Sequence, residues 1–245
     1  MGLFGRGKTN KTAPPAAPPA HSQALIDLAS RYLGPALLHQ RAFGDLILSE
    51  PRWWADFGEG TISFGEQVYT IQFLGSESEV SNTWLWGTEN INNYPDQVLQ
   101  GVRAFHGALR QHGTIPDLVE SMLPLDELIN GHVIASIAAA SSSGDWCYYR
   151  CPYDGGAAFV LVGDLPEFVF APVAPKPVAD ALTHLIQTYP LNHRLLAQSL
   201  LTTNCVAQET APDGALLGTF EDGSIMRVGF DDAGRVAAIN FELRP

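Results

Sequence analysis

The sequence predicts an α+β fold in which antiparallel β-meanders are covered by helices, and three observations carry that prediction. Between Trp53 and Asn90, apolar and polar residues alternate in three short runs divided by turn residues, the period-two pattern of paired strands. Segments on either side carry apolar residues at helical spacing instead. The end of the chain repeats that order on a smaller scale, helix first and then short strand-like runs separated by turn signals about ten residues apart.

Taken in order, residues 1–22 include the Pro/Ala run Ala13 to Ala20, which favours extended polyproline II and cannot build a core, so a disordered tail is expected. Ser22 can cap a helix in which Leu25, Leu28 and Tyr32 recur, and Gly34-Pro35 is expected to break it before a second helix reaches about Leu48. Strands follow near 60–65, 67–75 and 82–88, with Gly65-Glu66 as the first turn and the acidic loop Ser76 to Asn82 as the second. In strand register Ile62, Phe64, Tyr69, Ile71, Phe73, Trp84 and Trp86 share one face. At roughly 1.5–3 kcal/mol each they supply a gross burial term of about 10–20 kcal/mol.

A helix from Asp96 to about His112, stopped by Gly113, sets Val98, Val102, Phe105 and Leu109 on a stripe that can cover this aromatic face. Another, from about Leu125 to Ser142, buries Leu128, Ile129, Val133, Ile134 and Ile137. Trp146–Arg150 and Ala157–Val162 then form a hairpin that turns through Pro152–Gly156. These elements make a main domain of residues 23–163. Pro166, Pro172, Pro175 and Pro177 mark a linker over 164–176. In the C-terminal unit, 177–245, a helix carrying Val178, Leu182, Leu185 and Ile186 is broken by Pro190, and a second helical segment runs to about Thr202. Asp213-Gly214, Glu221-Asp222-Gly223 and Asp232-Ala233-Gly234 then separate the four strands of a meander. The alternative architecture is one continuous sheet shared by both units.

The chain has 245 residues, 46% of them hydrophobic, and a formal charge of −12. Arg6, Lys8 and Lys11 fall within the first 23 residues, which hold no acid, so the remainder carries 11 basic against 26 acidic residues, a charge of −15. Such a body repels phosphate backbones and anionic lipid and steers a basic protein toward it, so no nucleic-acid partner is expected. No apolar run approaches a membrane span, and the N-terminus has neither a secretory hydrophobic region nor a myristoylation motif, since Arg6 occupies its Ser/Thr position. A cytoplasmic protein is therefore expected. Three cysteines fit a reducing compartment. In a strand, Cys147 and Cys151 would lie about 13 Å apart on one face, too far for a disulfide, and a lone C-x3-C supplies too few zinc ligands. Neither metal nor cofactor is expected. No dinucleotide, phosphate-loop, zincin, EF-hand or nucleophile-elbow motif occurs, and His106, His132 and His184 stand in helices without a catalytic partner.

At Phe73-Leu74-Gly75-Ser76, then Thr83-Trp84-Leu85-Trp86 and Asn90, and again at Cys147-Tyr148-Tyr149-Arg150-Cys151-Pro152-Tyr153-Asp154-Gly155-Gly156, the chain resembles an uncharacterised bacterial domain family. In that family a Leu-Gly-Thr step precedes a Thr-Trp-Leu-Trp-Ala-Trp-Ala-Asn strand, and a Tyr-Tyr-Arg hairpin follows. The resemblance spans about residues 50–163. It departs at Ser76, where the family favours Thr, and at Gly87-Thr88-Glu89, where Thr replaces a third Trp. What it implies is a fold and a bacterial origin, with no activity attached.

The candidate binding residues are the aromatics Trp84, Trp86, Tyr148 and Tyr149, able to line a pocket, together with Glu77, Glu79, Glu89, Asn90, Arg150 and Asp154 at loop and strand ends. No catalytic or metal residue is assigned. Three functions fit. The first is a non-catalytic, cytoplasmic protein-binding domain of immunity type that meets a basic partner through an acidic face. The second is a small-ligand or peptide-binding module with an aromatic pocket. The third is an enzyme of unrecognised type that uses loop carboxylates.

Overall fold

The computed structural model describes residues 21–50, 52–112 and 115–242, apart from the side chains at 111 and 112. The expected tail, up to residue 20, and the helix stop at Gly113 lie outside the described residues. The chain order is α1 (Gln23–Ile47), β1 (Trp53–Asp56), β2 (Thr61–Phe64), β3 (Gln67–Ser78), β4 (Thr83–Trp86), α2 (Asp96–His112), β5 (Met122–Pro124), α3 (Gly131–Ser141), β6 (Cys147–Tyr153) and β7 (Gly156–Val162). The C-terminal part adds α4 (Pro175–Thr188), α5 (His193–Asn204), β8 (Ala207–Thr210), β9 (Leu216–Thr219), β10 (Ile225–Phe230) and β11 (Val236–Glu242). The fold is α+β, as expected. Its strands form two separate antiparallel sheets, a curled one of seven strands and one of four ordered β11-β10-β9-β8, so the shared-sheet alternative is not adopted.

Ser22 caps α1 by accepting from Leu25 N at 3.2 Å. The expected break at Gly34-Pro35 is corrected, because α1 runs through it. Pro35 has no N–H to give the Arg31 carbonyl, and the Ser199 hydroxyl of α5 donates to that carbonyl instead. A Cβ on Gly34 would stand 2.7 Å from Leu200 Cγ, so the glycine admits α5 at close range. The pair marks a helix contact rather than a helix end. Through it α1 packs on α4 and α5 as well as on α3, and one apolar cluster extends from Leu25 to Val228.

The long strand β3 organises the curled sheet. It pairs with β2 over Gln67–Thr70, with β4 over Gly75–Ser78 and with β7 over Ile71–Ser78. Its register slips between Phe73 and Gly75, a β-bulge at Leu74. One inserted residue exchanges the faces of everything beyond it. Ile62, Phe64, Tyr69, Ile71 and Phe73 therefore look to the inner side of the curl with Val160 and Val162, while Trp84 and Trp86, opposite Glu77 and Gly75, look outward with Phe159. The expectation that seven apolar residues share one face fails at this bulge, although all seven are buried. The outer face is covered by α2, where Phe105 and His106 meet Trp86, and by α3, where Gly131 passes the Phe159 ring.

Other boundaries differ for local reasons. The helix α3 starts at Gly131 rather than Leu125, because Asp126 Oδ1 accepts from Leu128 N and Ile129 N at 2.9 and 2.7 Å and folds that stretch into a turn, after which Asn130 caps the helix. The five apolar residues assigned to it are buried all the same. The hairpin strands β6 and β7 run on to a two-residue turn, Asp154-Gly155, with Gly155 at φ +81°. β1 and β5 are short additions at the sheet margins that alternation alone does not announce.

Candidate functional site

A cavity of about 480 Å³ opens on the inner face of the curled sheet, between β1 and the end of β6. Its floor is made of small residues on adjacent strands, Ser76, Ala158 and Cys151, which the β-bulge and the register bring side by side. Phe73, Phe57 and Tyr94 form one wall, with Phe57 and Tyr94 stacked at 5.0 Å and both edge-on to Phe73. Trp53 of β1 stands opposite, 5.4 Å from Tyr149 of β6. The other end of the inner face is filled by Phe43 of α1 against Phe64. At one lip Asn90 Oδ1 accepts from Asn92 N at 2.8 Å and Asn92 Nδ2 donates to the Tyr94 hydroxyl at 3.1 Å.

The mouth is ringed by large apolar side chains in water. Trp54 is 73% exposed and Tyr153 52%, and Ile91, between the lining residues Asn90 and Asn92, is 90% exposed. Exposed acids adjoin them in sequence, Asp56 at the end of β1, Glu59 after it, Glu89 before the Asn90 lip and Asp154 after Tyr153. An apolar centre with a charged fringe and a concavity of this size is the anatomy of a binding site. A larger cavity of about 640 Å³ lies between α2 and the outer sheet face, lined by Leu28, Ala104, Phe105, Ala108 and Leu161 among others, and no exposed large apolar residue borders it.

The residues singled out from sequence fall in three places. Asn90 lies on the cavity lip. Trp84 and Trp86 are wholly buried, packed on Phe159 and on Phe105 of α2, and line neither of these cavities. Glu77, Glu79, Arg150 and Asp154 gather where the β3–β4 loop meets the β6–β7 turn. There Glu79 pairs with Arg150 at 3.5 Å, its backbone N–H donates to Gly155 O, and Glu77 accepts from Gly131 N at the start of α3. Tyr148 points outward, its hydroxyl 3.1 Å from His132 Nδ1, beside a small cavity of about 90 Å³; Tyr149 packs inward on Trp53 and Phe64. Glu89 is exposed at the lip. The side chains missed were Trp53, Trp54, Phe57, Tyr94 and Tyr153. The Trp53-Trp54 pair was visible but lay just before the recognised alternation, and Tyr94 reaches the site only through tertiary packing.

Burial pushes the Cys147 and Cys151 thiols up to about 12, so Cys151 on the cavity floor stays a thiol at neutral pH. Burial likewise pushes the Tyr148 hydroxyl up to about 12. Among the described residues no three His, Cys, Asp or Glu side chains are grouped to hold a metal ion, and no helix is long and apolar enough to cross a membrane.

Four histidines share one direction of shift. Burial lowers His39, His106, His132 and His193 below their ordinary 6.5, with Arg110 adding to the effect on His106, Arg150 on His132 and Arg235 on His193. The folded state therefore binds these protons less readily than the unfolded chain does. Their contribution is fully present above pH 6.5 and is lost as pH falls through the lowered folded values. Thermal melts from pH 8 to 5 are expected to hold steady down to about 6.5 and then decline. His106, 3% exposed and stacked 4.4 Å from Trp86, is one of these groups, so His106→Phe is expected to flatten the decline in part. An unchanged slope in that variant would remove His106 from the account.

Comparison with known proteins places residues 26–165 in DUF6882, a family of unknown function; the match takes in more than half of the chain, and the protein belongs to that family. It reaches from α1 through the curled sheet, ending just beyond β7. No curated protein and no solved structure matches the chain.

Proposed function

Since the family brings no activity with it, we propose from the site itself that this protein is a non-catalytic protein-binding domain, whose inner-face cavity receives an apolar side chain of a basic partner. The observation that carries this is the coincidence of an aromatic concavity with water-exposed Trp54, Ile91 and Tyr153 at its mouth. Exposed large apolar groups clustered around a depression cost solubility and are kept where a partner covers them. The acids beside the mouth, in a body of charge −15, favour a partner with basic residues around its apolar anchor and speed its approach. A cytoplasmic, bacterial immunity-type protein that neutralises a basic protein is the form of this activity that the charge fits best. A small ligand in the same cavity is the second form; the exposed rim, which a small molecule would leave wet, favours a protein.

The test is retention of a basic partner on the immobilised full chain at low and high salt, with Trp54→Ala against Phe168→Ala, an exposed aromatic away from the cavity. Retention should weaken with salt and fall about ten- to thirty-fold in Trp54→Ala only. Equal behaviour of the two variants, or binding indifferent to salt, would count against this function.

A further inference from the structure

We propose that the partner enters as an extended segment and adds as an antiparallel strand to the free edge of β1, its apolar residues facing the cavity and its basic residues facing water. This rests on the cavity being the binding site. The pairing of β1 with β2 fixes which backbone groups are free. Gly65 N donates to Arg52 O at 3.2 Å, so Arg52, Trp54 and Asp56 direct their N–H and C=O toward β2, and by alternation Trp53 and Ala55 direct theirs to the open side. Both residues also line the cavity. Backbone donors and acceptors thus lie beside an apolar hollow, the two requirements of strand addition.

The opposite margin of the gap cannot serve. On β6, Gln40 of α1 occupies the free edge, donating through Nε2 to Tyr148 O at 2.8 Å and accepting from Tyr148 N at 3.2 Å, and Pro152 has no donor to offer. Among the described residues no side chain covers the edge of β1 in this way. Four antiparallel steps separate β1 from β6, through β2, β3 and β7, so the two margins run the same way, and one antiparallel strand between them matches both. Opposed residues in a ladder share a face, so the incoming residues bonded to Trp53 and Ala55 are those that point into the cavity. Their alternate neighbours point to the other face, the one that carries exposed Asp56, where basic side chains are complementary.

The geometry makes a distinctive demand: the N–H groups that matter belong to the apolar residues. The probe is the peptide amide Lys-Val-Lys-Tyr-Lys-Val-Lys, titrated calorimetrically into the full chain, in three forms: unmodified, N-methylated at Val and Tyr, and N-methylated at Lys. Binding is expected for the unmodified peptide, a loss of tenfold or more with methylated Val and Tyr, and a change within about twofold with methylated Lys. Equal affinity of the two methylated forms, with binding still lost in Trp53→Ala, whose side chain shares the cavity face, would overturn strand addition and leave the cavity assignment standing. No binding of the unmodified peptide, or binding indifferent to Trp53→Ala in protein shown to be folded, would overturn both.

Discussion

Replacing Trp86 by alanine is expected to lower the unfolding free energy by about 3–5 kcal/mol, a large share of the stability of an ordinary domain, with urea unfolding as the measurement. The indole has no solvent exposure and is held on three sides, by His106 stacked at 4.4 Å, by Phe105 at 6.0 Å and by Trp84 at 5.6 Å. Its Nε1 also donates to Glu120 O at 3.0 Å, which ties the α2–β5 connection to the outer face of the sheet. The neighbouring Trp84 is equally buried, but its Nε1 finds no hydrogen-bond partner among the described residues. The two tryptophans are therefore separable by phenylalanine. Trp86→Phe leaves a carbonyl without its donor and should cost about 1–2 kcal/mol more than Trp84→Phe, which gives up volume alone. Equal costs would mean that the Glu120 bond contributes nothing. Neither substitution touches the inner-face cavity, so binding by protein that remains folded should persist.

That division between buried and exposed aromatics decides how far the site was legible in the sequence. Alternation identified β2, β3 and β4 and the seven apolar residues that the sheet buries, because burial follows from hydrophobicity whichever face a side chain takes. The face itself was not legible. A single bulge residue, Leu74, turns Trp84 and Trp86 from the inner side to the outer, and nothing in the composition of Phe73-Leu74-Gly75 sets it apart from an ordinary strand. With the faces exchanged, the inner side loses its two largest candidates and the cavity is walled by Trp53, Phe57 and Tyr94. The three turns between the four C-terminal strands were legible, because Asp-Gly and Ala-Gly turns fix hairpin registers locally. The Gly34-Pro35 pair misled for the opposite reason: its meaning lies in α5, more than 150 residues away in sequence, where Ser199 supplies the missing donor.

Gly75, at the end of that bulge, should be among the least replaceable glycines in the sheet, together with Gly156 of β7, where a Cβ would fall 2.1 Å from the Glu77 carbonyl oxygen. The requirement at Gly75 is steric rather than conformational, since its φ is not among the positive ones. A Cβ on Gly75 would fall 2.4 Å from Trp84 Cζ2 and 2.5 Å from the Leu85 carbonyl oxygen. The indole crosses β3 directly over the glycine, and the second contact is backbone of the paired strand, so relief demands moving either a fully enclosed ring or a strand. Gly75→Ala is expected to destabilise by about 3 kcal/mol, at the upper end of what overpacking usually costs. Gly44→Ala is the matched control. Nothing lies within 4 Å of a Cβ at that position in α1, and the same added methyl should stabilise by up to about 1 kcal/mol through helix propensity. If the collision is with the indole, Trp84→Phe must relieve it, because the smaller ring withdraws the atoms that meet the new methyl. The double variant should then be less destabilised than the sum of the single ones by about 1 kcal/mol or more. Strict additivity would assign the cost to the Leu85 carbonyl instead, and would mean that the glycine is there to keep β3 and β4 in register rather than to seat Trp84.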